Sequence, residues 1–173
     1  MSRTSVILAL LFVIGGAHAA TAGEQAAKLS GPVAVAEGEA GRPQYSPDVA
    51  WSAAAKCWLA VWHAGEATGD GTAGDGRAQD IYAARISEDG KVLDPEGIAV
   101  CKAKDFQCRP SVASDGKDFL VVWHDLRTGK DWDLYAARVT GEGKVLDEDG
   151  FLVSGGPHNQ CFGDIVFGGG SYF

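Results

Sequence analysis

An internal repeat limits the possible folds of this chain more than any other feature of its sequence. The segment LYAARVTGEGKVLDEDG, at 134–150, matches IYAARISEDGKVLDPEG, at 81–97, at 10 of 17 positions. These segments lie 53 residues apart, and the similarity continues upstream, where WLAVWH at 58–63 matches FLVVWH at 119–124. Repetition of this kind is the signature of an architecture built from stacked units, so the fold is read one unit at a time.

Each unit contains four predicted strands. In the second unit the strands cover 110–114, 119–124, 134–140 and 151–154, with Asp-Gly and Gly-Glu-Gly turn signals among them. The strand at 119–124 lacks polar alternation, so both of its faces are expected to be buried. No window after the apolar N-terminus has the helical spacing of apolar residues.

These strands predict an all-β chain that folds as a partial β-propeller. Four short antiparallel strands, repeated about every 50 residues, are typical of a propeller blade, whose sheet is covered on both faces by its neighbours. A β-sandwich is the alternative. It requires one polar face on each strand, and the run from Phe119 to Trp123 provides none.

The order of the units predicts the domain organisation. Residues 1–19 are assigned to a signal peptide, 20–46 to an N-terminal segment with a closing strand, 47–109 to the first blade, 110–162 to the second and 163–173 to the start of a third. Complete rings have about four to eight blades. The chain is therefore expected to be the N-terminal part of a longer protein, with the remainder of its propeller missing.

The first 19 residues indicate export. Arg3 precedes an apolar run at 6–14, and Ala-His-Ala at 17–19 is a small-x-small cleavage site. A membrane anchor is the alternative, but the run is shorter than the roughly 20 apolar residues of a spanning helix. We therefore expect a secreted or periplasmic protein without a membrane partner. The formal net charge of −8 argues against nucleic acid as a partner.

Four cysteines in an exported chain predict disulfides. Cys101 and Cys108 bracket a short segment and are the candidate pair. Cys57 and Cys161 then remain, and the sequence leaves their pairing open. The spacing of the four fits no zinc-binding pattern.

The repeat resembles one found in exported bacterial β-propeller proteins, often described as WD-like. Its pattern is D-G-x-x-[FY]-L-V-V-W, a polar loop, and then D-[IL]-Y-A-A-R-[IV]-x-x-x-G-K-V-L-D-x-x-G. The matching residues are 115–116, 119–123 and 133–138 in the second unit, and 58–62 and 80–85 in the first. In the first unit, Ala-Ala-Ala-Lys at 53–56 replaces the Asp-Gly turn. The resemblance implies the propeller fold and assigns no activity.

Residues that recur in both units are best explained by the fold that the units share. Trp62 and Trp123 are expected to pack between blades. His63 and His124 follow them and are expected to be hydrogen-bonded structural histidines, with a metal-binding pair as the alternative.

Two charged pairs also recur. Asp80 and Asp133 precede the third strand of their units and are expected to accept backbone N–H bonds in a turn. Arg85 and Arg138 are expected to pair with acids on a neighbouring blade. A structural role is the interpretation we favour for all four.

Function is expected where the units differ, on loops held by a rigid frame. The connection at 64–79 is twice as long as its counterpart at 125–132. It carries Asp70 and Asp75 among glycines, which makes a weak calcium site conceivable, since calcium prefers oxygen ligands. The spacing of these acids misses the usual calcium-loop pattern. A solvated loop without a cofactor is the favoured interpretation.

The shorter connection, DLRTGKDW, combines charges with an aromatic residue. Asp125, Arg127, Asp131 and Trp132 are the candidate ligand-binding residues, and the ligand would be a protein or a carbohydrate. A simple polar turn is the alternative.

Catalytic motifs are absent from the sequence. There is no G-x-S-x-G, no H-E-x-x-H and no Gly-rich phosphate loop. The favoured hypothesis is therefore an exported, non-enzymatic repeat segment that serves as a binding or scaffolding module. The alternative is part of a propeller-type polysaccharide hydrolase with an acidic site at the ring axis.

Overall fold

The protein is all-β over the residues that the structure describes. This computed structural model describes residues 7–8, 33–35, 43–65 and 79–173. Helices are absent from these ranges, so no described helix could cross a membrane. The all-β class predicted from the sequence is confirmed for this part of the chain.

The predicted signal peptide and N-terminal segment lie mostly outside the described residues. Within them, strand β1 (Ile7–Leu8) pairs antiparallel with β2 (Val33–Ala34). Val35 follows β2 and is buried. Asp70 and Asp75, the candidate calcium ligands, lie in the part of their loop that falls outside the described residues.

The first unit forms a four-stranded antiparallel sheet. Its strands are adjacent in chain order: β3 (Gln44–Ser52), β4 (Cys57–Ala64), β5 (Asp80–Ser87) and β6 (Ile98–Cys101). The unusual turn between β3 and β4 closes through Lys56, whose φ is 51°. The long middle strands, β4 and β5, are almost entirely buried.

The second unit forms a sheet of the same topology. Its strands are β7 (Gln107–Ser114), β8 (Phe119–Asp125), β9 (Asp133–Val139) and β10 (Phe151–Ser154). The Asp-Gly turn between β7 and β8 forms as predicted, because the Asp115 carboxylate accepts the amides of residues 117 and 118, each at 2.8 Å.

A short hairpin completes the described fold. It consists of β11 (Phe167–Gly168) and β12 (Ser171–Tyr172), which pair antiparallel as a small further sheet. The prediction of four strands in each complete unit is therefore confirmed, and the chain continues past the second unit into a short two-stranded sheet.

The two four-stranded sheets pack face to face. Successive residues of a strand point to opposite faces, so β4 contributes to two separate cores. Leu59 and Val61 lie in the core between the sheets, which also contains Trp123 of β8. Trp62 lies in the core on the opposite face of the first sheet, which includes Val35. Both faces of β4 are thus buried, which stabilises the fold by about 1.5–3 kcal/mol for each large apolar side chain.

Arg85 and Arg138 bind acids of their own units, so the expectation of partners on a neighbouring blade is wrong. Arg85 Nε lies 2.8 Å from Asp94 Oδ2, and Arg138 Nη2 lies 2.7 Å from Asp147 Oδ1. A tight turn after each strand returns the chain, so the acid nine residues later lies beside the arginine. The main-chain amide of each arginine also binds its carboxylate, which fixes the bidentate pair.

The predicted disulfide between Cys101 and Cys108 is wrong, because all four cysteines are free thiols. Cys101 ends the outer strand of the first sheet, whereas Cys108 lies near the start of β7 in the second sheet. The intervening residues therefore carry the chain from one sheet to the next and do not close a loop. Cys57 is buried near the carbonyl oxygen of Gly141, and Cys161 is half-buried.

Candidate functional site

Three segments of related sequence converge beside the two sheets. They are QYSPDV at 44–49, QCRPSV at 107–112 and QCFGDI at 160–165. The first two belong to β3 and β7, the first strands of their units. Together the three segments line a cleft of about 430 Å³.

Each segment contains a residue in the left-handed backbone region. Ser46 and Arg109 both have a φ of 51°, and Phe162 has a φ of 62°. In β3 and β7 these residues lie within register shifts of the strand pairing, which are β-bulges. Such a φ costs a side-chain-bearing residue about 1–2 kcal/mol, so local contacts must hold the bulges in place.

The two recurring histidines hold the bulge of the following unit. The amide of Arg109 donates to His63 Nδ1 at 3.2 Å, and the amide of Phe162 donates to His124 Nε2 at 2.8 Å. Burial, followed by the charge of Arg109, lowers the pKa of His63 to about 4 and also lowers the pKa of His124. Both imidazoles are therefore neutral near pH 7 and can accept these bonds. This arrangement fits the structural interpretation of the histidines, and no group of three metal-ligating side chains occurs in the described ranges.

Two carboxylates and a hydroxyl occupy the same position in the three segments. Ser111 Oγ lies 2.8 Å from Asp48 Oδ2 and 2.6 Å from Asp164 Oδ1. Backbone amides orient both acids, since that of Val112 donates to Asp48 and that of Ile165 donates to Asp164. The hydrogen bond from Ser111, followed by that of the Ile165 amide, lowers the pKa of Asp164.

The remaining wall of the cleft is aromatic and cationic. The Phe162 side chain is 81% exposed, which is unusual for an aromatic residue. The Arg109 guanidinium lies over this ring, 5.3 Å from its centre. His124 closes the cleft behind them, and its Nε2 already accepts the Phe162 amide. The imidazole therefore has no free lone pair on that nitrogen to act as a base towards Ser111.

Asp125 and Arg127, which we predicted to bind a ligand, form an internal ion pair. The Asp125 side chain is fully buried and contacts Arg127 Nη2 at 2.6 Å. Its oxygens also accept the indole N–H of Trp123 and two further bonds from Arg127. The guanidinium lies over the Tyr135 ring at 3.8 Å and donates to the carbonyl oxygen of Asp149. Arg127 thus contacts three parts of the chain, at Asp125, Tyr135 and Asp149. Both carboxylate oxygens of Asp125 already accept hydrogen bonds within the protein.

Trp132 and Asp131 lie apart from that pair. Trp132 is half-buried, and its ring meets the edge of His124 with centroids 6.5 Å apart. Its amide binds Asn159, and its carbonyl oxygen accepts the amide of Gln160 at 2.6 Å. The carbonyl oxygen of Asp131 accepts the Thr128 hydroxyl. The four candidate residues therefore do not converge on one site, although Trp132 supports the third segment of the cleft.

Asp80 and Asp133 are both buried at the start of their strands. Asp80 accepts the Tyr82 hydroxyl at 3.3 Å. Asp133 Oδ1 is buried without a hydrogen-bond partner among the described residues.

The cleft residues Asp48, Ser111, Phe162 and Asp164 were not among the sequence-based candidates. The signal that could have found them is the bulge motif itself, since its fourth and fifth positions vary among Pro-Asp, Pro-Ser and Gly-Asp. No protein-family model, curated protein or solved structure matched this chain. The cleft offers oriented oxygen acceptors, a cation and an exposed aromatic ring, which are kinds of groups found in small-molecule sites.

Proposed function

We propose that this chain is a repeat segment of an exported β-propeller protein and serves as a non-enzymatic binding or scaffolding module. The observation that carries the proposal is the stacking of two sheets of identical topology through equivalent strands. In a propeller, each sheet is covered by the next copy of itself, and the sheets surround a central channel.

The contacts that join the first unit to the second recur where the second unit meets the third segment. The amide of Gln107 donates to the carbonyl oxygen of Gln79 at 2.8 Å, and that of Gln160 donates to the carbonyl oxygen of Trp132 at 2.6 Å. The amides of Arg109 and Phe162 likewise donate to the histidine of the preceding unit, His63 or His124. A step that repeats in this way supports continued stacking of units.

The outer strand of the second sheet has an apolar face without a cover in the described part of the protein. Val153 is 53% exposed, whereas Val100, its equivalent in the first unit, is 2% exposed beneath the second unit. Exposed apolar residues grouped on one strand mark an interaction surface. A further sheet of the same kind is the cover that we propose for it.

An extended chain tests the stacking proposal. Residues 168–173 align with 115–120, so a copy of residues 121–154 added after Phe173 would continue the third unit. We expect the extension to raise the melting temperature and to slow hydrogen exchange in β10. A matched extension carrying Trp→Asp at the copied position of Trp123 should do neither. The proposal would be refuted if a protease readily removed the intact extension and the extended chain melted no higher than the original chain.

Export has its own test. Expression of the full chain in a bacterium, followed by mass measurement of the protein recovered outside the cytoplasm, should give a chain that begins after Ala19. An uncleaved chain that stays in the cytoplasm would contradict this part of the proposal.

The chemistry of Asp164 argues against the role of general acid in a hydrolase. A polysaccharide hydrolase needs a protonated carboxyl as its general acid, which requires a raised pKa. The pKa of Asp164 is lowered instead, because it accepts the Ser111 hydroxyl and a backbone amide. Asp164 is thus held ionised, which suits a hydrogen-bond acceptor for a ligand.

A further inference from the structure

We propose that the cleft binds carbohydrate, with neighbouring sugar hydroxyls at Asp48, Ser111 and Asp164 and the C–H face of the ring on Phe162. This inference rests on the proposed binding function and adds the site and the ligand class. It is based on carboxylate oxygens that lack hydrogen-bond donors and on an aromatic ring that is exposed.

The polar side of the cleft has more acceptors than donors. Ser111 lies within hydrogen-bonding distance of two carboxylates, but a hydroxyl carries a single proton and can donate to one of them at a time. Asp164 is exposed, and its Oδ2 accepts no hydrogen bond from the described residues. A ligand that brings hydroxyl donors would satisfy these oxygens.

The apolar side is the exposed ring of Phe162. Its φ of 62° places a bulky residue in a backbone region that such residues rarely adopt. The equivalent positions hold Ser46 and Arg109, so the bulge itself does not require an aromatic side chain. An exposed aromatic side chain that the bulge does not need is a reason to infer a function. A flat apolar ring beside oriented acceptors matches the two kinds of surface that a pyranose presents.

The size of the cleft and its small net charge are compatible with a sugar as the ligand. Arg109 offsets one of the two carboxylates, so the formal charge of Asp48, Asp164 and Arg109 together is −1. The described residues include no group of three metal-ligating side chains, so a tightly bound divalent ion lacks its ligands. The volume of about 430 Å³ lies within the range of small-molecule sites, roughly 300–1,000 Å³.

The test is a glycan array probed with the full chain, followed by calorimetric titration with the glycans that bind. We expect Phe162→Ala and Asp164→Asn each to weaken binding at least tenfold. Phe173→Ala, at a phenylalanine that is 75% exposed outside the cleft, is the matched control for the first change. Asp89→Asn is the control for the second change, because Asp89 also accepts a serine hydroxyl, that of Ser87, but lies in a turn outside the cleft. Both controls should bind as the unchanged protein does.

Phe162→Gly keeps the test valid if Phe162→Ala fails to fold, since glycine suits the left-handed φ while it removes the ring. Three results would overturn the inference: no glycan bound above background, equal losses in the cleft variants and their controls, or binding of calcium or a cationic peptide in place of sugar. If the extended chain melts higher but no glycan binds, the stacking proposal stands and the carbohydrate inference falls.

Discussion

Two equivalent glycines allow one steric contact to be measured separately from backbone strain. Gly97 and Gly150 lie 53 residues apart, at the same position of the two units, and have φ values of 75° and 74°. A Cβ on Gly97 would lie 3.7 Å from Trp62 Cζ2, which is an ordinary contact. A Cβ on Gly150 would lie 2.6 Å from Trp123 Cζ2 and 2.9 Å from the carbonyl oxygen of Ala136.

The expected losses of stability follow from this difference. Gly97→Ala should cost about 1–2 kcal/mol, because alanine is strained at a positive φ. Gly150→Ala should cost the same strain plus an overpacking penalty of about 1–3 kcal/mol. Trp123 cannot yield easily, since it is fully buried and its indole N–H donates to Asp125 at 2.9 Å.

Urea unfolding followed by tryptophan fluorescence measures both losses, with thermal melting as a second readout. For a chain of this size, about 1 kcal/mol shifts the melting temperature by about 2–4 °C. We expect the unfolding midpoint of Gly150→Ala to fall below that of Gly97→Ala. Equal losses in the two variants would refute the reasoning, because they would mean that Trp123 does not press against Gly150.

Three further predictions concern buried ionisable groups. Asp125→Asn should cost about 3 kcal/mol, because it leaves a partly buried guanidinium without its counter-charge; Asp147→Asn, whose arginine partner is exposed, should cost much less in the same urea titration. The pKa of His63 in the folded chain, about 4, lies below the ordinary 6.5, so the unfolded chain binds more protons between these pH values. The free energy of unfolding should therefore fall by up to about 3 kcal/mol as the pH is lowered from 6.5 to 4. Unfolding curves across that range should show a weaker pH dependence in His63→Gln, since the lowered pKa of His124 still contributes. An unchanged slope would contradict the expected contribution of His63. Burial raises the pKa values of Cys101 and Cys108 from 9.0 to about 11, so at pH 8 their thiolate fractions are about 100-fold lower than that of an ordinary thiol. Both should therefore react more slowly than an ordinary thiol with a disulfide reagent, whereas four thiols should titrate in denaturant.

The sequence predicts those features of the fold that are encoded within one unit. The strand at 119–124 lacks polar alternation, which predicts burial on both faces; in β8 only Leu120 is half-buried and the other residues are buried. The Asp115-Gly116 signal gave the turn between β7 and β8 for a local reason, since one carboxylate caps two amides nearby. Strand period and turn chemistry act over a few residues, and such signals can be read directly from the chain.

The sequence does not predict those contacts that depend on the path of the chain between strands. Cys101 and Cys108 are close in sequence, but the chain leaves one sheet between them and enters the next. Arg85 was assigned a distant partner because the return of the chain to Asp94 depends on the geometry of the intervening turn. The cleft was missed because Asp48, Ser111 and Asp164 come from three different segments, and only the stacking brings them together.

The origin of the cleft in three successive segments links recognition to assembly. Asp48, Ser111 and Asp164 form one hydrogen-bonded set only after both junctions between the segments have closed. A molecule that binds there therefore acts as a clamp across two junctions, and its binding energy adds to the cohesion of the stack. At a free concentration 100 times its dissociation constant, such a clamp is worth about 2.7 kcal/mol. Occupancy of the cleft and resistance to unfolding thus rise together.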